Sequence, residues 1–137
     1  MTPEQIETLL YKKSGLLGVS GISHDTRDLI ASDKKEAAQA IELFCHMAAR
    51  QMGELLMVLG GLDALVFTGA MGCGAATIRT QIYNYLEWMG GVFDELANNK
   101  HQPCISAHNS TVAVYIIPTD EEMIIAKHTS HLLGAMQ

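Results

Sequence analysis

At 137 residues the chain is long enough for one domain, or for one piece of a larger one. Apolar residues make up 48% and charged residues 18%, a balance that suits a packed globular chain and excludes disorder. The formal net charge of -6, with only the small doublets Lys12-Lys13 and Lys34-Lys35, leaves no basic face for nucleic acid.

In chain order, Thr2-Pro3 ahead of EQIETLLYKKS predicts a short helix with Thr2 as N-cap and Pro3 at its first position, ending near Ser14-Gly15. Gly15, Gly18 and Gly21 follow at spacings of three, which predicts a compact loop through SGLLGVSGISHDTRDL rather than helix or strand. Asp33 and Glu36 read as a capping pair for a long helix. On that helix Ala37, Ile41, Phe44, Ala48, Met52, Leu55 and Leu59 recur at steps of three and four and form one apolar face. Gly60-Gly61 stops it, and LDALVFTG then predicts a buried parallel strand.

A glycine-broken loop, Gly69 to Gly74, leads into a second helix striped by Ile78, Ile82, Tyr85 or Leu86, and Met89. Trp88 reads as a partly buried anchor there, and Gly90-Gly91 ends the helix. VFDELANNKHQPCISAHNS is polar and irregular, with one short strand at CIS. TVAVYIIP is the strongest strand pattern, closed by Pro118. Thr119 and Glu122 form a capping box for a last helix over DEEMIIAKHTSHLL.

Alternating strand and helix signals predict an α/β sheet with crossover helices. Two strong strands are too few, since a sheet usually holds about five or six. Either further strands lie in the irregular segments, or the chain belongs to a larger fold. No apolar run approaches the ~20 residues that span a bilayer, and the acidic, amphipathic N-terminus is unlike a secretory signal, so no membrane role is expected. Cys45, Cys73 and Cys104 have no CxxC spacing and read as reduced thiols of a cytoplasmic protein. His128 and His131 make only a loose pair, and Met52, Met57, Met71, Met89 and Met123 read as apolar filler.

Three segments carry chemistry. A helix start after the Gly69–Gly74 loop would offer unpaired N–H groups to a phosphate or carboxylate. A Walker loop would need Lys-Ser or Lys-Thr where Ala75-Ala76 stands. A dinucleotide loop would need Gly or Ala at Thr77, although Asp94 lies at the distance of a ribose-binding acid. The plain alternative is a strand-to-helix turn that uses glycine for geometry alone. In His24-Asp25-Thr26-Arg27-Asp28, Asp25 is placed to bind a ribose hydroxyl and Arg27 to stack on a base or pair with a carboxylate. The alternative is a solvated loop with an internal Asp-Arg pair. In Thr119-Asp120-Glu121-Glu122 the helix dipole accounts for the acids, and Glu121 is the carboxylate left free to hold a metal-bound water.

The segments YKKSGLLGVSGISHDTRDL, LVFTGAMGCGAATIR and IIPTDEEMIIAKHT, in this order, resemble the C-terminal segment of the acetate kinases. The likeness runs from about Glu4 to Leu133. That family belongs with the sugar kinases, Hsp70 and actin. The resemblance implies a partial ribonuclease H-like, actin-like ATPase domain: a three-layer α/β arrangement with an incomplete sheet. Residues 1-137 would be the C-terminal part of the C-terminal domain, with the N-terminal domain absent. It implies reversible phosphoryl transfer between ATP and acetate, giving ADP and acetyl phosphate, with Mg2+ as cofactor. Asp25, Thr26 and Arg27 match the family's nucleotide-lining Asp-x-Arg loop. Ala70, Met71, Gly72, Cys73 and Gly74 match its second nucleotide loop, usually F-T-G-G-I-G-E-N. Glu121 matches the glutamate assigned to magnesium.

Three departures stand in that loop: Ala70 for Gly, Cys73 for Glu and Gly74 for Asn. No residue of the segment matches the family's catalytic aspartate and arginines. The expectation is weak nucleotide binding, no turnover by the chain alone, and a homodimer or larger assembly. The alternative is a non-catalytic binding or assembly module derived from an acetate kinase.

Overall fold

The computed structural model describes residues 1–134. Its first helix, α1, spans Pro3–Lys12. Thr2 Oγ1 accepts from the Gln5 N–H at 3.3 Å and Gln5 Oε1 accepts from the Thr2 N–H at 2.9 Å, so both orphan donors at the helix start are satisfied. The expected glycine loop is instead two short helices, α2 (Gly15–Ser20) and α3 (Thr26–Ile30). Packing overrides the glycine signal here: both helices lie on the long helix α4, with Leu16, Ile22 and Leu29 in or against the core.

α4 spans Lys35–Leu59 and ends, as expected, on Gly60 in the left-handed conformation (φ 75°). Its N-cap is Lys34 and carries no side-chain cap, so Asp33 and Glu36 do not act as a capping pair. The buried face is Ala37, Ala40, Ile41, Cys45, Ala49 and Leu56. Leu55 and Leu59, expected inside, are 63% and 71% exposed. The face thus follows the small residues and rotates by one position along the helix.

β1 (Ala64–Phe67) pairs in parallel with β2 (Ala113–Ile116), with Ala64 opposite Ala113 and Phe67 opposite Ile116. Parallel pairing agrees with the sequence. Full burial of β1 does not hold, because only Phe67 is buried. These two strands are the whole sheet among the described residues. The segment after β1 is a helical turn, α5 (Gly69–Gly74), followed by α6 (Ala76–Asn84) and a 3-10 turn over Glu87–Met89. Leu86, not Tyr85, continues the buried stripe. Trp88 is 75% exposed, so it anchors nothing in the core.

The polar stretch holds α7 (Glu95–Asn99), whose N-cap is Asp94: Oδ1 accepts from the Ala97 N–H at 2.9 Å. Asp94 is therefore used by the fold. At CIS the strand shrinks to two isolated antiparallel bridges, Cys104 with Tyr115 and Ser106 with Phe93. The last helix, α8 (Glu121–Gly134), starts on Asp120, whose Oδ1 accepts from the Met123 N–H at 2.8 Å, so the cap falls one residue beyond Thr119. α8 buries none of its residues. One core joins α4, α6 and the strands through Ile41, Cys45, Phe67, Ile78, Ile82, Val114 and Ile116.

Candidate functional site

An open groove of about 770 Å³ lies where α3, α5 and the start of α6 meet. Asp25, Thr26 and Arg27 line it from α3 and its cap. Ala70, Met71 and Gly74 line it from α5, and Ala75, Ala76 and Thr77 from the start of α6. Six of the expected nucleotide residues are thus brought to one surface, although 45 residues separate Asp25 from Ala70 in the chain. Gly72 and Cys73 do not line the groove. Glu121 is exposed at the start of α8 and is not among the lining residues.

The local chain explains the shape. Gly69 adopts φ 70°, which L side chains rarely tolerate. A Cβ on Gly72 would stand 3.2 Å from the Phe67 carbonyl carbon, so glycine here lets α5 fold back on the end of β1. Gly74 has open space around it and an unremarkable φ. The start of α6 carries no side-chain cap, and Ala75, Ala76 and Thr77 line the groove there.

Asp25 has two tasks inside the protein. Its Oδ1 accepts from the Arg27 N–H at 2.8 Å and caps α3. Its carboxylate also takes Arg27 Nε at 3.1 Å and Nη2 at 2.5 Å. These bonds from Arg27 hold the Asp25 carboxyl down at about 2, and Asp25 in turn raises the guanidinium. Without ligand the pair is self-satisfied, as the alternative reading of this loop has it, yet it sits in the groove. Ser23 Oγ fixes the same turn: it donates to Asp28 Oδ2 at 2.7 Å and accepts from the Asp25 N–H at 3.0 Å.

Three further residues brace the groove, and the sequence assigns none of them a role in the site. Arg79 is fully buried. Its Nη1 donates to the carbonyls of Gly72 (2.7 Å) and Cys73 (3.0 Å). Its Nε donates to Asn98 Oδ1 (2.6 Å) and its Nη2 to the Asn98 carbonyl (3.0 Å). Burial lowers its pKa. Asn98, also fully buried, donates to the Ala76 carbonyl at 3.1 Å and to Thr80 Oγ1 at 3.0 Å. His101 lines the groove with φ 52°, a left-handed conformation; its Nδ1 lies 2.9 Å from the Cys73 carbonyl oxygen and 3.2 Å from Arg79 Nη2. The sequence offered one signal for this cluster: an arginine on the apolar stripe of α6, next to Ile78.

Among the described residues no three His, Cys, Asp or Glu side chains gather into a metal site. A lone Glu121 carboxylate suits only a cation that takes its other ligands from water and phosphate oxygens, which is how magnesium is usually held. No described helix is long and apolar enough to cross a membrane. Cys45, Cys73 and Cys104 are all free thiols, and burial pushes Cys45 up to about 11.

A parallel strand pair with crossover helices and a groove at the end of β1 is an α/β arrangement, and it superposes on solved carboxylate-kinase structures. It matches an acetate kinase from Entamoeba histolytica with a TM-score of 0.85 at 32% identity, covering 93% of this chain and 36% of that one. A propionate kinase from Francisella tularensis matches with a TM-score of 0.82 at 36% identity, covering 92% and 33%. The chain belongs to the acetokinase family, whose model matches residues 1–127. An acetate kinase of Rhodopseudomonas palustris is 50% identical over 134 residues, or 96% of this chain and 34% of the relative. One from Methylocella silvestris is 45% identical, over 99% and 34%. The chain therefore spans about a third of the length of these relatives.

Proposed function

We propose that this chain is the nucleotide-holding part of an acetate-kinase-type phosphotransferase, corresponding to the C-terminal part of the family's C-terminal domain. In the full-length arrangement ATP and acetate would be converted to ADP and acetyl phosphate. The observation that carries the proposal is the groove itself: Asp25, Thr26 and Arg27 meet Ala70, Met71 and Gly74 across it, next to an uncapped helix start. On this reading the adenosine lies along the groove and the phosphates point to the N–H groups of α6. Arg27 would leave Asp25 to meet the ligand, freeing the carboxylate for a ribose hydroxyl. Magnesium would neutralise phosphate charge, with Glu121 holding it through water.

Phosphoryl transfer needs the acceptor and the transferring group fixed in line and their charge neutralised. The described residues offer one wall of a nucleotide site and no carboxylate pocket, so the 137-residue chain alone should turn over no acetate. Hydroxamate detection of acetyl phosphate should stay at background. Titration with ATP and Mg2+ should show binding weaker than micromolar. Turnover that survives purification and vanishes in Glu121→Ala would overturn the inactive reading and place an assembled site between copies.

A second reading, a non-catalytic assembly module, is favoured by two observations. The loop has lost polar side chains at Cys73 and Gly74, and α8 presents Ile124, Ile125, Leu132 and Leu133 to solvent. A chain that self-associates but shows no nucleotide response at millimolar ADP would select it.

A further inference from the structure

We propose that Arg79 is the positioning residue of the groove, holding its α5 and α6 walls and the His101 turn together through one buried guanidinium. The proposal rests on the reading of the groove as a nucleotide site. Each wall is tied to this side chain. Nη1 holds the carbonyls of Gly72 and Cys73, immediately before the lining residues Gly74 and Ala75. Nε and Nη2 hold Asn98, and Asn98 passes the restraint to the Ala76 carbonyl at the start of α6. The Asn98 carbonyl that takes Nη2 also takes the His101 N–H at 3.0 Å, and so fixes the turn that puts His101 into the groove.

Helix capping alone does not account for the residue. α5 is only six residues long, and a neutral donor could satisfy one of its last carbonyls. A fully buried cation is costly unless it is paired, yet among the described residues no carboxylate bonds to Arg79. Its bonds go to three carbonyls and an amide oxygen, and an imidazole nitrogen lies 3.2 Å from Nη2. The planar fork reaches all of them at once, which the single point of a lysine ammonium does not. His101 also stays in a left-handed conformation that residues with a Cβ rarely adopt. A strained groove residue, pinned by a buried charge with no acid, fits a surface shaped for a ligand better than a simple turn.

The test uses the whole chain labelled with 15N, because NMR titration follows millimolar binding. Mg·ADP is titrated into the unmodified chain, Arg79→Ala and Arg79→Lys, and amide exchange is recorded for all three. Arg79→Ala should weaken ADP binding roughly tenfold or more, and methylguanidinium, not methylammonium, should restore it. Arg79→Lys should not rescue, and it carries the test if the alanine variant does not fold. Amides of residues 70–76 should exchange faster in the variants, while those of β1 and β2 keep their protection. A folded Arg79 variant that binds ADP like the unmodified chain would overturn the proposal. If no form binds ADP, the nucleotide reading fails by itself, and exchange decides: local loosening of 70–76 supports positioning, whereas unchanged or uniformly faster exchange removes it.

Discussion

Cys73 stands beside the buried guanidinium of Arg79, close enough that a thiolate there would raise the arginine's pKa. The resemblance puts glutamate at this position and asparagine at 74. A carboxylate at 73 would give the guanidinium an acidic partner, and hydrogen bonds to charged groups contribute about 1.5–3 kcal/mol net. Gly74 has open space and no positive φ, so an asparagine side chain fits without moving its neighbours. Cys73→Glu with Gly74→Asn should therefore raise the thermal midpoint by about 5–10 °C and strengthen ADP binding. Scanning calorimetry with and without ADP checks both; a lowered midpoint would mean that residue 73 does not face Arg79. At this scale the resemblance singled out Asp25, Thr26, Arg27, Ala70, Met71 and Gly74, which line one groove, along with Gly72, Cys73 and Glu121, which do not line it. It did not show what braces them. Arg79 lies on α6, whereas Asn98 and His101 lie at the end of α7 and in the turn after it, 19 and 22 residues further along the chain.

The elements that announced themselves are those with chemical punctuation. Thr2-Pro3 with Gln5 starts α1, Gly60 stops α4, and the β-branched run around Val114 makes β2. Elements fixed by packing did not. α2 and α3 lie in a stretch whose glycines read as loop, and only their seat on α4 makes them helical. The expected face of α4 holds at Ala37 and Ile41 but is one residue out at its C-terminal end, because Leu55 and Leu56 both fit a three-four spacing. This difference can be measured. Leu56→Ala should cost about 2–4 kcal/mol, the range for truncating a buried leucine. Leu55→Ala should stay within about 0.5 kcal/mol. Denaturant unfolding of the two variants decides it, and the reverse order would restore the face read from the sequence.

The molecule as a whole leaves much apolar surface in water. Leu55, Met57, Val58, Leu59 and Trp88 are each more than 60% exposed, as are Ile125, Leu132 and Leu133 on α8. The outer edge of β1 has no strand partner among the described residues, whereas residues 103–106 bond along the outer edge of β2. Surfaces of this kind promote association, so light scattering on dilute protein should report species heavier than the 14.9 kDa chain. A heat-stable monomer that binds no hydrophobic dye would count against this. The parallel register has a temporal consequence as well. Ala64 and Ala113 meet only after the intervening chain, which carries α5, α6, α7 and the Arg79 brace, has closed on itself. Closing a loop of roughly fifty residues costs about 3 kcal/mol before any ladder bond repays it. The strands therefore pair late on the folding route, and whatever orders the groove early, a bound nucleotide included, shortens the search that brings them together.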